Sequence, residues 1–216
     1  MIITAVNAGP RKTWNTAQLV HEAARGAQEA GAQIRYFDLY DREKFTGCIS
    51  CFGCKRNPNE GICICRDGLS EILASIRGSD AVIFGSPNYL GQPTAGFRAL
   101  YERLVFQNLT YQVERRWYRE AKTPSLFIMT SNMPAEGYAA GPSRDMIEYY
   151  REGLTSALGP CDIFLCGDTK QVPDYSRYNW TMFDAAHKIA RHEEVFECEK
   201  RRAYEAGAMM AKGKGE

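Results

Sequence analysis

Several things are missing from this chain of 216 residues, and each absence narrows what it can be. Neither charge is in excess: 27 Lys and Arg stand against 26 Asp and Glu, with a net charge of +1 and no basic tract. That balance removes the electrostatic footprint of a nucleic-acid binder. With 44% hydrophobic and 25% charged residues, it fits an ordinary globular protein. Long apolar runs are also missing. Stretches such as Ala81-Val-Ile-Phe84 fall far short of the roughly 20 residues that cross a bilayer, so no membrane partner is expected. Neither G-x4-G-K-[ST] nor G-x-G-x-x-G occurs, which removes the P-loop and the dinucleotide fingerprint. No internal repeat is visible. Histidine is scarce, and His21, His187 and His192 all fall on predicted helices, where a solvated or packed role fits better than catalysis. No leader precedes the first apolar run, Ile2-Ile-Thr-Ala-Val6, so a cytoplasmic, thiol-reducing location is expected.

What remains is an alternation of short apolar strands with amphipathic helices. Ile2–Val6 reads as a buried strand, and Val20, Ala23, Ala24 and Ala27 recur at helical spacing. Ile34–Leu39 returns as a strand. Asp67 stands where it would cap a helix whose stripe is Leu69, Ile72, Leu73 and Ile76. Ala81–Phe84 is a third strand, and Phe97, Leu100, Tyr101 and Leu104 a further helical stripe. Ser125–Met129 and Ile163–Cys166 complete five strands, with a helix over Ser143–Leu158 between them. A last helix is expected over about 182–210, followed by a Lys/Gly tail. Such alternation predicts one α/β domain over 1–216 with a doubly wound parallel sheet. Ligands of such sheets bind beyond the strands' carboxyl ends. Residues 108–122 exceed a typical connection and carry Tyr111, Trp117 and Tyr118. They read as a small hairpin, packed on the body or used at a subunit contact or the rim of a substrate site.

Three loops at strand ends therefore hold the candidate chemistry. The first, Asn7-Ala-Gly9-Pro10-Arg11-Lys12-Thr-Trp14-Asn15-Thr16, runs from a strand into a helix N-terminus, where unpaired N–H groups and the helix dipole favour an anion. Arg11 and Lys12 add charge, and Asn15 and Thr16 add donors; this reads as a phosphate site or as an ordinary helix cap. The second contains Ser86, Pro87, Asn88, Tyr89, Leu90 and Gly91, a rigid segment suited to a planar heterocycle. The third contains Thr130, Ser131, Asn132 and Gly137.

Five of the eight cysteines fall within residues 46–66: Cys48, Cys51, Cys54, Cys63 and Cys65. The C-x2-C-x2-C core allows one loop to wrap a cuboidal iron–sulfur cluster, with Cys63 or Cys65 as fourth ligand. Zinc held by Cys48, Cys51, Cys63 and Cys65, or free thiols, are the other readings. Cys161 and Cys166 belong to a buried strand and pack there.

The segment N-A-G-P-R-K-T-W-N-T resembles the phosphate loop of NAD(P)H-dependent FMN reductases of the flavodoxin-like fold, which reads N-G-S-P-R-x-x-G-N-T. G-S-P-N-Y-L-G-Q-P-T-A-G-F-R-A-L-Y-E-R is similar to that family's isoalloxazine loop and following helix. The cysteine stretch resembles the subgroup called iron–sulfur flavoproteins, in which four cysteines hold a 4Fe–4S cluster near the flavin. The resemblance implies a five-stranded sheet in the order 2-1-3-4-5 and FMN phosphate binding by Arg11, Asn15 and Thr16. It implies ring contacts from Pro87 to Gly91, NAD(P)H as co-substrate and a 4Fe–4S cluster on Cys48, Cys51, Cys54 and Cys63. Catalysis would belong to the flavin, with no protein acid or base. Electrons would pass to a small-molecule acceptor such as a quinone, an azo or nitro compound or free flavin, or onward to a ferredoxin-type partner. Relatives assemble as homodimers or homotetramers, so a second copy is expected here. The chain departs from the family pattern at Gly9, where a serine is usual, and at Ala8 and Trp14, which replace glycines.

Overall fold

The apolar runs stack side by side as a parallel sheet in the computed structural model, which describes residues 1–213. Along the chain lie β1 (Ile2–Asn7), α1 (Asn15–Glu29), β2 (Gln33–Asp38), α2 (Ser70–Arg77), β3 (Ala81–Tyr89), β4 (Gln92–Pro93) and α3 (Ala95–Asn108). Then come β5 (Ser125–Thr130), α4 (Gly141–Ala157), β6 (Cys161–Cys166), α5 (Ala185–Glu194) and α6 (Phe196–Lys212). The parallel strands run in the order β2-β1-β3-β5-β6. This is the expected order with one addition. β4 pairs antiparallel with the end of β3, matching Asn88 with Pro93 and Tyr89 with Gln92. The turn between them places Leu90 at φ 55° and Gly91 at φ 81°. Positive φ at both central positions is what a tight two-residue hairpin requires. The segment expected as an irregular loop is thus β3 continuing past the sheet and folding back.

Strands covered on both faces read as nearly unbroken apolar runs. One face packs Leu69, just before α2, Ile72 and Ile76 of α2, Phe97 and Leu100 of α3 and Tyr150 of α4 onto Val6, Phe84 and Phe127. The other packs Leu19, Val20 and Ala23 of α1 and Phe196 and Ala203 of α6 onto Ile3, Ile83 and Ile128. α1 and α6 approach so closely that a Cβ on Gly26 would stand 2.0 Å from the Tyr204 carbonyl oxygen, and one on Gly207 1.8 Å from that of Ala23.

Two local expectations change. The C-terminal helix is two helices, broken at Val195, where φ widens to −107° with ψ −35°. His192 and Phe196 stack across the break with centroids 4.8 Å apart. The Lys/Gly tail lies mostly outside the described residues. Leu69, not Asp67, stands immediately before α2. Asp67 still closes the turn leading into it: its Oδ1 accepts from the Leu69 N–H at 3.0 Å and its own N–H donates to Ser70 Oγ at 2.9 Å, while the same carboxylate pairs with Arg103 at 2.6 Å. Residues 108–122 form only an abbreviated hairpin, with one antiparallel bridge between Leu109 and Trp117.

Candidate functional site

The carboxyl ends of β1, β3, β5 and β6 enclose a cavity of about 220 Å³. Gly9, Pro10, Arg11, Trp14, Asn15 and Thr16 line it from the first loop, Pro87, Asn88 and Tyr89 from β3, and Thr130, Ser131 and Asn132 from the end of β5. Thr169, Lys170 and Gln171, which follow β6, close the remaining side.

These walls are tied to one another. The Thr16 and Thr130 hydroxyls are 2.6 Å apart, joining the start of α1 to the end of β5. The Lys170 carbonyl accepts from Trp14 Nε1 at 3.2 Å and from Asn15 Nδ2 at 2.8 Å, while the Gln171 carbonyl accepts from Arg11 Nη1 at 2.6 Å. The Thr169 hydroxyl donates to the Ser131 carbonyl at 3.0 Å. Asn88 Nδ2 donates to the Tyr138 hydroxyl at 2.6 Å, which fixes the amide's orientation beside the cavity.

The electrostatics suit an anion. No side chain caps α1 and no acid lies in its first turn, so its first N–H groups keep the unpaired donors and positive dipole end of a helix N-terminus. Arg11 has no carboxylate partner among the described residues. Burial pulls its pKa below the ordinary value, against a smaller opposing influence of Tyr89 and Tyr178. A guanidinium held this way, facing uncapped N–H groups, is what a phosphate monoester needs. The residues present therefore fit the phosphate of a mononucleotide.

The loop after β6 is itself braced. Asp168 takes the Lys188 ammonium and lies 2.7 Å from His187 Nε2. Lys188 also donates to the Asn132 carbonyl at 3.0 Å. Burial would raise the Asp168 pKa, but hydrogen bonds from Lys188 and His187 outweigh it and the net shift is downward. Arg191 joins this group to Glu199 at 2.7 Å, and the buried Cys166 thiol donates to Glu199 at 2.9 Å.

A second cavity, of about 20 Å³, is lined by all five clustered cysteines together with Ile49, Phe52, Ile64, Arg103, Phe106 and Gln107. The loop owes its course to left-handed residues at Ser50 and Phe52 and to α3. Glu102 accepts from the Cys48 N–H at 3.3 Å and Gln107 from the Cys63 N–H at 3.0 Å, and Arg103 donates to the Cys65 carbonyl at 3.0 Å. Lys55 caps the carboxyl end of α3, donating to the carbonyls of Phe106 and Leu109. Burial pushes the Cys54 and Cys65 thiols up, so a metal entering here must displace protons. Among the described residues no three His, Cys, Asp or Glu side chains are arranged around a shared point. The donor set nonetheless suits a cluster: five soft thiols line the cavity and no carboxylate does.

The sequence model described as NADPH-dependent FMN reductase matches residues 1–140. The chain belongs to this family. An iron–sulfur flavoprotein of Methanocaldococcus jannaschii is 35% identical over 116 residues, covering 54% of this chain and 58% of that protein. One from Clostridioides difficile is 29% identical over 151 residues, covering 65% of each. The chain thus spans about half to two thirds of the length of the curated relatives it matches. Two solved structures share the fold at low identity. An NAD(P)H:quinone oxidoreductase from Methanothermobacter marburgensis has a TM-score of 0.67 at 16% identity over 96% of both chains. A Bacillus anthracis FMN-dependent NADH-azoreductase in complex with FMN has a TM-score of 0.66 at 11% identity over 98% of this chain and 100% of that one.

Within this FMN reductase fold, twelve of the residues expected at the cofactor line one cavity. Five do not. Lys12 is paired with Asp41 on the surface. Ser86 is buried and accepts from the Thr94 N–H at 3.0 Å, holding the β3–β4 hairpin. Leu90 and Gly91 form the exposed hairpin tip, and Gly137 lies in a single 3₁₀ turn whose space is taken by Met133. Sequence reasoning missed Thr169, Lys170 and Gln171. Two of these act through backbone carbonyls, for which side-chain identity carries no signal; their position after the last strand was the available hint.

Proposed function

We propose that this protein is an FMN-dependent oxidoreductase that takes electrons from NAD(P)H or a protein donor. It passes them to a small acceptor such as a quinone, an azo or nitro compound, or free flavin. The observation that carries this reading is the cavity at the strand ends, where Arg11 without a counter-ion faces the uncapped start of α1. When bound, FMN supplies hydride acceptance and electron donation at its ring. The chain's residues bind and orient. Arg11, Asn15 and Thr16 meet the phosphate, and Trp14, 4.7 Å from the Arg11 guanidinium, covers it. Asn88, fixed by Tyr138, and Tyr89 offer a polar edge and a flat surface to the ring. No carboxylate or imidazole lines the cavity, which accords with chemistry needing no protein acid or base. The chain acts as one domain, in the cytoplasm, as a homodimer or homotetramer.

The five-thiol cavity supports a second reading, an iron–sulfur flavoprotein carrying electrons between protein partners such as a ferredoxin. Cys48, Cys51, Cys54 and Cys63 would hold a 4Fe–4S cluster, with Cys65 as the other choice for fourth ligand; the relatives' names agree with this. The test is anaerobic purification, chromatography of the heat-released cofactor, and iron, sulfide and zinc analysis beside NAD(P)H oxidation with a quinone acceptor. FMN with steady turnover supports the enzyme. FMN with iron and sulfide but negligible turnover supports the carrier. FAD, or no flavin, overturns both, and one zinc per chain replaces the cluster.

A further inference from the structure

The cysteine cavity contains one charged side chain, and that side chain is incompletely bonded. Arg103 lies on the middle of α3 and is 2% exposed. Its Nη1 makes a forked contact with both Asp67 oxygens at 2.6 Å, and its Nη2 donates to the Cys65 carbonyl at 3.0 Å. Its Nε is buried with no partner among the described residues. A buried donor left unpaired is costly, more so on a charged group, so such an atom calls for an explanation. The rest of the cavity lining is thiol, apolar or amide. A second cation, Lys55, stands near the Cys54 thiol, but it does not line the cavity and is held by the carbonyls at the end of α3.

We propose that Arg103 is the charge-compensating residue of the cysteine centre, its Nε reserved for a thiolate or inorganic sulfide of the occupied site. This inference rests on the cluster reading above. Four thiolates around a cluster leave net negative charge in the cavity. Hydrogen bonds to sulfur and local charge are among the factors that set a cluster's reduction potential. Asp67 holds the guanidinium in place and acts through Arg103, as a positioning residue.

The experiment is a redox titration of anaerobically prepared protein, with iron and sulfide determined per chain. Two variants are compared with wild type. Arg103→Lys keeps the charge and gives up the Nε donor. Arg103→Gln removes the charge and keeps a donor for Asp67. Both should retain iron and sulfide, and the cluster potential should move to more negative values, further in the Gln variant. If Gln is too unstable to purify, the shift in the Lys variant decides alone. An unchanged potential in iron-replete Arg103→Lys overturns the proposal and leaves the cluster reading standing. Iron-free wild type overturns the cluster reading, and this proposal with it.

Discussion

The two cavities are built on opposite plans. The one at the strand ends is assembled from four segments that leave β1, β3, β5 and β6, and its walls are joined largely through backbone carbonyls and short hydroxyl contacts. The cysteine cavity comes from one loop leaning on one helix, and its fastenings are side chains: Glu102, Arg103, Gln107 and Lys55. A site at the rim of a sheet inherits rigidity from the core and tolerates unusual side chains, such as Gly9 and Trp14 in its phosphate loop. A site on a lone loop needs each fastening residue. Substitutions should therefore act locally at the first site and collectively at the second.

The largest expected effect is at the cysteine loop. Cys51→Ser should abolish iron and sulfide incorporation in anaerobic protein while FMN content stays at the wild-type level. Loss of both cofactors together would show that the two sites are not independent. Next is Asp168→Asn, which strands the buried Lys188 ammonium; removing one partner of such a pair costs about 3 kcal/mol or more. Urea unfolding should show this at neutral pH. The Asp168 carboxyl titrates below its ordinary value in the folded protein. Its contribution is therefore complete above the unfolded pKa of about 3.9 and is lost as pH falls through the folded value. The gap between wild type and Asp168→Asn should narrow on acidification; a constant gap would contradict the assignment.

Arg11→Ala follows. The loss of a charge-assisted bond to phosphate should weaken FMN binding by roughly 1.5–3 kcal/mol, about 10- to 150-fold, measured by flavin fluorescence, with iron content unchanged. The smallest effect is at the neighbouring cation. Lys12→Ala breaks an exposed ion pair with Asp41, and FMN affinity should not change. A loss comparable to that of Arg11→Ala would mean that Lys12 abandons Asp41 for the phosphate.

Legibility differed between the two regions for physical reasons. Strand and helix placement followed from apolar runs and glycine punctuation, because a strand buried on both faces admits little else; the strand order was implied by the family resemblance. The first loop was readable as a cavity wall since Arg11, Asn15 and Thr16 place side chains at a helix start. The closing segment 169–171 was not, because Lys170 and Gln171 bond there through backbone carbonyls. Nor was the extension of β3: Leu90 sits at positive φ, a conformation the residue type argues against. The break at Val195 lay within an unbroken helical pattern. The cysteine spacing announced a thiol site but said nothing of Arg103 or Gln107, whose role appears only when α3 is laid beside the loop.

α3 also constrains how this chain can change over time. Thr94, which caps it, bonds the Ala8 carbonyl at 2.8 Å beside the first cavity, and nine residues later Arg103 faces the second. A helix turns about 100° per residue. Inserting or deleting one residue between these points would swing Arg103 and Gln107 away from the cysteines, whatever else was preserved. Descendants of this sequence must keep the count of the stretch from 95 to 107, as a gear keeps its teeth.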